Sequence, residues 1–255
     1  MNRIAFAAAL GCALLTSCQK AEPPRHFSQA ALNQALADPG RKDQRESTDA
    51  RRKPGPLIAL AGVKPGDKVL DLIPGTGYWT RIFSKIVGPE GKVYAVWPQA
   101  YGRTAMGNVA MLRQLSADKY YGNIVTEIQP TTTLTAPEPL DVVWTSQNFH
   151  DYPDEFMGKG DPAALAHDVY KILMPGGTFI IVDHAAKSGR GLADTDTLHR
   201  IDPAAVRQIV EGAGFRFAGE SKVLINPADP LDIPVFDKSI RGHTSQFAYK
   251  FVKPS

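Results

Sequence analysis

Two groups of residues have the types and the spacing that a chemical site requires. In the first, Gly75, Thr76 and Gly77 form a turn between an apolar run and an amphipathic stretch. Glycine lets a ligand approach the backbone closely, and the start of a helix offers it unpaired N–H groups. In the second, His150 and Asp151 follow another apolar run. Because imidazole titrates near neutral pH, His150 is a candidate general base with Asp151 beside it.

Other polar residues extend this second group, and each of them has a structural alternative. Asn148 either contacts a ligand or caps, together with Asp151, a turn with His150 packed at its edge. Arg200 either clamps a carboxylate or phosphate or forms a structural salt bridge. The remaining candidates, which could converge on the same mouth, are Asp183, His184 and His199. No metal site is predicted, because the His and Asp residues form no ligand pair at helical i, i+4 spacing.

The segments that must position these residues alternate between strand and helix. Apolar runs predict five strands at residues 68–73, 92–97, 123–129, 140–146 and 178–183. Amphipathic stretches predict the helices between them, and two extended stretches, residues 215–224 and 244–252, predict a terminal antiparallel pair. This pattern predicts an α/β fold with a doubly wound, mostly parallel, seven-stranded sheet. Its ligand would lie at the carboxyl ends of the strands.

A short helical extension precedes the first predicted strand. Ser28 is a candidate N-cap of a helix that ends before residues 38–40 (DPG). The highly charged residues 41–53 predict a helix with a solvated surface. We therefore interpret residues 28–255 as one domain, in which residues 28–62 are the helical extension.

The first 27 residues predict export from the cytoplasm. Arg3 precedes a mostly apolar stretch at residues 4–15, which is the composition of a signal peptide. The stretch ends in LTSC, which is similar to the bacterial lipobox and would make Cys18 the lipidated N-terminus. An ordinary signal peptide with an incidental cysteine is the alternative. On the lipobox interpretation residues 1–17 are removed and residues 18–27 are a tether to the periplasmic face of the outer membrane.

Composition excludes several classes of protein. The chain has 255 residues, a net charge of +3 and 43% apolar residues, which rules out a fibrous or largely disordered protein. No basic block stands out, so we expect no nucleic acid partner. We expect a small-molecule substrate instead. No apolar run reaches the roughly 20 residues of a membrane-spanning helix, so membrane contact is expected through the lipid alone. The only other cysteine, Cys12, lies in the removed stretch, which excludes disulfides and thiol catalysis.

The glycine turn and three later segments together resemble the class I S-adenosylmethionine-dependent methyltransferases. The first motif of that family, acid-x-Gly-x-Gly-x-Gly, is similar to residues 71–77 (DLIPGTG). The later segments, which follow in the order of the family, are residues 91–96 (GKVYAV), 140–144 (LDVVW) and 173–183 (LMPGGTFIIVD). The resemblance implies a Rossmann-like fold, S-adenosylmethionine as cofactor and methyl transfer to a small acceptor. It implies these cofactor-binding residues: Asp71, Gly75, Thr76, Gly77, Trp97 and Asn148.

Three positions in two segments depart from the pattern of the family. Ile73 replaces the first glycine although a β-branched residue resists positive φ, and Pro74 removes a backbone donor. Trp97 stands where the family has a carboxylate for the ribose hydroxyls; an indole can stack on adenine but accepts no hydrogen bond. Two hypotheses follow, methyl transfer with His150 as base, or a non-catalytic envelope ligand-binding protein that retains the fold. A nicotinamide dehydrogenase ranks third, because the first loop lacks the full dinucleotide pattern.

Overall fold

The computed structural model describes residues 26–158 and 160–255. The predicted signal peptide, Cys18 and all but the last two residues of the predicted tether lie outside these residues. Seven strands form one sheet in the order β3-β2-β1-β4-β5-β7-β6. The strands are β1 (Lys68–Leu72), β2 (Lys92–Pro98), β3 (Ile124–Gln129), β4 (Leu140–Ser146), β5 (Leu173–His184), β6 (Arg216–Ser221) and β7 (Gln246–Val252).

Only β7 runs against the other strands of this sheet. The pairs β1–β2, β1–β4, β2–β3 and β4–β5 are parallel, whereas β7 pairs antiparallel with both β5 and β6. The predicted α/β class, the mostly parallel sheet and the antiparallel terminal pair are therefore confirmed. Leu72 of β1 pairs with Thr145 of β4, so the loops that follow these two strands leave the sheet side by side.

Nine α-helices connect or flank the strands within the described part of the chain. They are α1 (Gln29–Leu36), α2 (Lys42–Arg52), α3 (Pro54–Ala61), α4 (Tyr78–Val87), α5 (Gln99–Thr104), α6 (Met106–Ala117), α7 (Pro162–Ile172), α8 (Thr195–Leu198) and α9 (Pro203–Gly212). The predicted cap Ser28 accepts a hydrogen bond from the N–H of Ala31, and Asp161 and Asp202 cap α7 and α9 in the same way. None of these helices is long and apolar enough to cross a membrane.

The core lies on both faces of the two central strands. Every residue of β4 from Leu140 to Thr145 is buried, as are the last four residues of β1. Such mostly apolar strands, buried along nearly their whole length, are expected where helices cover both faces of a parallel sheet. On one face Trp144 packs against two rings of α4, with centroid distances of 4.6 Å to Trp79 and 5.4 Å to Phe83. This packing fixes the start of α4 against the sheet.

The charged segment at residues 41–53 is less solvated than its composition predicts. Arg41 is fully buried and pairs with Asp49, and the same carboxylate accepts a hydrogen bond of 2.6 Å from the hydroxyl of Tyr78. The guanidinium of Arg41 also lies 5.2 Å from the centre of the Tyr78 ring. These contacts hold α2 against the first turn of α4, and they bring Arg52 to the carboxyl end of the sheet.

Candidate active site

A cavity of about 540 Å³ opens at the carboxyl ends of β1, β4 and β5. Its volume falls within the roughly 300–1,000 Å³ of small-molecule sites. Its walls are built from the ends of β1 and β5, the loops after β1 and β4, and side chains of other segments that include α2, α4 and the chain after β5. They include Asp71, Ile73, Gly75, Thr76, Gln147, Asn148, His150, Asp151, Arg52, Trp79, His184 and His199.

The loop after β1 takes the shape of a glycine turn although its first residue is not glycine. Ile73 has a φ of 55°, in the left-handed region that a β-branched residue avoids. Such a conformation costs on the order of 1–3 kcal/mol, and it persists only where the surroundings fix it. The N–H of Ile73 donates to the carbonyl of Val96 at 2.8 Å, and its carbonyl accepts from Asn148 Nδ2 at 3.2 Å. Ile73 therefore does not prevent the turn from forming.

The two remaining glycines of the turn have different roles. Gly75 has a φ of 57° and lines the cavity, and a Cβ placed on it would meet no atom of the described residues within 4 Å. Gly77 is not among the cavity-lining residues, and its N–H donates to the carbonyl of Pro74. A Cβ on Gly77 would lie 2.4 Å from Cδ2 of Leu112, so this glycine permits packing of α6. Gly75 alone leaves space for a ligand at the backbone.

Asp71 and Asn148 lie beside this loop, one at its start and the other hydrogen-bonded to it. Asp71 is buried at the floor of the cavity and accepts a hydrogen bond of 2.6 Å from Thr80 Oγ1. Burial raises the pKa of Asp71 to about 7, although the Thr80 hydroxyl and the charge of Arg52 favour its ionised form. Asn148 donates to the carbonyls of Ser146 and Ile73, so its amide nitrogen ties the loop after β4 to the loop after β1.

Trp97 requires a correction to the sequence prediction. Its side chain is fully buried, and it does not line the cavity. The residue pairs with Ile128 in the sheet, and its Cβ lies against Gly102 of α5. The indole therefore packs in the core and offers no surface for stacking on a nucleoside.

Arg52 lines the cavity and was not anticipated from the sequence. Its guanidinium carbon lies over two adjoining aromatic rings, 5.0 Å from the centre of the Tyr78 ring and 6.0 Å from that of the Trp79 ring. One of its terminal nitrogens donates a long hydrogen bond of 3.4 Å to Gln147 Oε1. Among the described residues, Nε of Arg52 has no hydrogen-bond partner, and no carboxylate lies within ion-pair distance of the guanidinium. Burial lowers the pKa of Arg52, which an anion in the cavity would oppose. No pattern in the charged segment distinguishes this arginine from its solvated neighbours.

The loop after β4 places His150 between two carboxylates. Nδ1 of His150 lies 2.7 Å from Asp183 Oδ1, and Nε2 lies 3.2 Å from Asp151 Oδ1. Burial disfavours the imidazolium, but the attraction of Asp183 and the hydrogen bonds to both carboxylates outweigh it and raise the pKa of His150 to about 10. At neutral pH the ring is therefore protonated and has no lone pair for a further proton. This geometry opposes the predicted role of His150 as general base.

Two more histidines converge on the same wall, as the sequence suggested. His199 lies with Nδ1 3.8 Å from Asp151 Oδ1, and its ring centroid is 5.5 Å from that of His150. The ring centroid of His184 lies 5.9 Å from that of His150, and Nδ1 of His184 lies 2.8 Å from Thr244 Oγ1. Burial lowers the pKa of His184 to about 3, so this ring is neutral.

Arg200 forms a structural salt bridge, which is one of the two alternatives that the sequence left open. Its side chain is fully buried and forms two hydrogen bonds of 2.9 Å with Asp229. The same guanidinium donates to the carbonyls of Ala185 and Ile233. Arg200 therefore anchors the segment that carries His199, and it does not line the cavity.

Comparisons with known proteins support one class. The sequence profile of the protein-L-isoaspartate(D-aspartate) O-methyltransferase family matches residues 49–138. The chain is 30% identical over 131 residues to a ubiquinone/menaquinone biosynthesis C-methyltransferase of Hydrogenovibrio crunogenus, with 49% of this chain and 45% of that protein covered. A second such enzyme, from Teredinibacter turnerae, is 28% identical over 172 residues, with 64% and 63% covered. The chain thus spans less than two thirds of the length of either relative.

Solved structures agree with this result at the level of the fold. A SAM-dependent methyltransferase from Aquifex aeolicus superposes with a TM-score of 0.56 at 18% identity, covering 89% of this chain and 99% of that one. Together with the strand order, this likeness shows that the chain has the Rossmann-like fold of the class I S-adenosylmethionine-dependent methyltransferases, and the sequence matches fall in the same class of enzyme. S-adenosylmethionine is the cofactor of that class.

The cavity contains groups that fit this cofactor. The guanidinium of Arg52 complements a carboxylate, and the open face of Gly75 lets a bulky group reach the backbone. The family resemblance places a carboxylate at the end of the second strand, and Trp97 stands at that position in this chain. The fit therefore depends on the first loop and on Arg52.

Proposed function

We propose that the chain transfers a methyl group from S-adenosylmethionine to a small-molecule acceptor in this cavity. The observation that supports this most is that an open glycine turn and an arginine without an ion-pair partner among the described residues line the same cavity. The cofactor supplies an electrophilic methyl group on a sulfonium. The protein then contributes mainly alignment of the acceptor with that group, which needs little covalent chemistry from side chains.

Different residues of the cavity would hold different parts of the cofactor. Arg52 would hold the α-carboxylate of the cofactor, and its stacking on Tyr78 and Trp79 keeps the guanidinium in place. Gly75 and Thr76 would receive the nucleoside part against the backbone, with the loop held in position by Asn148. The polar wall of histidines at the opposite loop is then left for the acceptor.

A binding protein without catalytic activity is the second hypothesis from the sequence. Ile73, one of the three departures that favour this hypothesis, takes the left-handed conformation of the glycine it replaces. The matched relatives described above are methyltransferases, so they lend this hypothesis no support. Methyl transfer is therefore the proposal we retain.

Replacing Arg52 by glutamine tests how the cofactor is held. A charge-assisted hydrogen bond contributes about 1.5–3 kcal/mol, so R52Q should weaken binding of S-adenosylmethionine roughly 10–100-fold. Methylthioadenosine, which lacks the amino-acid carboxylate, should bind wild type and R52Q with the same affinity. Calorimetric titration of the full-length chain with both compounds measures these affinities.

The neighbouring Arg51 provides a control for general charge. It is exposed and does not line the main cavity, so R51Q removes the same charge without removing the contact. R51Q should bind S-adenosylmethionine as wild type does. Equal affinities of wild type and R52Q for S-adenosylmethionine would contradict the assignment of Arg52.

We further propose that the protein is a lipid-anchored protein of the bacterial cell envelope. The support is the sequence LTSC before Gln19 and the absence of another cysteine after Cys18. The polar, proline-containing residues 19–27 would then connect the anchor to the domain. This location would require a supply of the cofactor outside the cytoplasm.

Mass spectrometry of membrane-extracted protein tests this location. We expect diacylglycerol on Cys18, because several acyl chains at about 0.8 kcal/mol per buried CH₂ anchor a protein firmly. C18A should release the protein from the membrane or block its processing, whereas C12A, within the removed stretch, should change neither. An unmodified Cys18 in the native protein would refute the anchor.

A further inference from the structure

Three side chains on the wall of the cavity are arranged as ligands of a metal ion. His150, Asp151 and His199 each offer one ligand atom, and these atoms lie within 4.8 Å of one another. Nε2 of His150 lies 3.2 Å from Asp151 Oδ1, and Nδ1 of His199 lies 3.8 Å from the same oxygen. Two ligands bound at about 2.0–2.1 Å to a tetrahedral ion lie roughly 3.3 Å apart. The observed spacing therefore needs only small side-chain rotations to accept an ion.

The surroundings of His150 are those of a metal-binding imidazole. Asp183 is fully buried, and its Oδ1 lies 2.7 Å from Nδ1 of His150 while its Oδ2 accepts from the backbone N–H of that residue. A carboxylate on the far nitrogen of a ligating histidine fixes the tautomer and aims Nε2 at the metal. Here it aims Nε2 at Asp151 and at the cavity.

The charge and the exposure of these side chains also favour a metal site. The buried carboxylates of Asp151 and Asp183 lie on either side of the His150 ring, and a divalent cation that displaces the ring proton from Nε2 would offset their negative charge. His150 and Asp151 are buried and His199 is partly exposed, so the third ligand lies at the open side. Three protein ligands with one position facing a cavity is the arrangement of a catalytic, rather than a structural, zinc site.

We propose that His150, Asp151 and His199 bind one divalent transition-metal ion of the zinc type at the cavity wall. Two imidazoles with one carboxylate suit zinc, iron, nickel or copper, whereas magnesium prefers oxygen ligands alone. The sequence did not predict this site because His199 lies 48 positions after Asp151 and joins it only through the fold. The site goes beyond methyl transfer and does not depend on the cofactor.

Titration of the metal-free, full-length chain with Zn²⁺ tests the site without S-adenosylmethionine. We expect one tightly bound Zn²⁺ per chain, which Mg²⁺ does not displace, and a visible absorption band when Co²⁺ is used instead. H199A and D151N should each lower the Zn²⁺ affinity at least about 100-fold, and D183N should lower it roughly 10–100-fold through the orientation of His150.

The control is H167A, which removes an exposed imidazole on α7. It should leave the stoichiometry and the affinity unchanged. Because His199 is partly exposed, H199A should keep the far-ultraviolet circular dichroism of the wild type, so that a loss of binding reports on the ligand. Zn²⁺ binding that H199A leaves unchanged, or displacement of Zn²⁺ by Mg²⁺, would overturn the proposal, as would the absence of stoichiometric binding.

Discussion

Valine in place of Gly75 is expected to abolish the binding of S-adenosylmethionine. The glycine lines the cavity, and a Cβ there meets no atom of residues 26–158 or 160–255 within 4 Å, so a branched side chain would project into the space of the ligand. We expect the affinity to fall at least about 100-fold, because the valine side chain would clash with a ligand seated at this backbone. Calorimetric titration of the full-length G75V protein measures the loss.

Gly191 supplies a matched control for this substitution. It has the same φ of 57°, it has equally open surroundings, and it does not line the cavity. G191V therefore carries a similar backbone strain, on the order of 1–2 kcal/mol, without touching the ligand. Both variants should unfold at similar urea concentrations, while G191V alone keeps wild-type affinity. If G75V binds as tightly as G191V, the cofactor lies elsewhere.

Removal of the Arg200 side chain is expected to cause the largest loss of stability. Arg200 and Asp229 are both fully buried, and R200M would leave the carboxylate as an unpaired buried charge. Breaking such a pair from one side costs about 3–5 kcal/mol. Urea unfolding of R200M and wild type at neutral pH measures this difference in the free energy of unfolding.

Arg207 provides the comparison for an exposed pair. It contacts Glu211 across one turn of α9, with about half of its side chain exposed. R207M should change the free energy of unfolding by at most about 1 kcal/mol, because water screens such pairs. Equal effects of R200M and R207M would show that the buried pair does not anchor the segment of His199.

The sequence was sufficient for the fold because the relevant signals are local. The continuous apolar residues of β1 and β4 predict strands buried on both faces, and the Asp161-Pro162 pair predicts the start of α7. The order of strands and helices then leaves few topologies for a parallel sheet. Boundaries were less accurate: β5 begins at Leu173, five residues before the predicted start, because pairing of Leu140 with Leu173 extends the ladder across Pro175.

The site was only partly predictable because three of its features depend on tertiary packing. Arg52 lies in a charged helix whose composition predicts solvation, and its burial follows from the contact of α2 with α4. Trp97 has the aromatic character of a nucleoside platform, but its place in β2 directs the indole into the core. Likewise, the pairing of His150 with Asp183 joins the ends of two strands that are distant in sequence.

The account depends most on the claim that the cavity beside Gly75 and Arg52 binds S-adenosylmethionine. The most direct test is calorimetric titration of the full-length wild-type chain with S-adenosylmethionine and with its demethylated product. We predict saturable binding of one molecule per chain for both compounds, in competition with each other. A titration of folded protein that shows no binding of either compound would contradict the account.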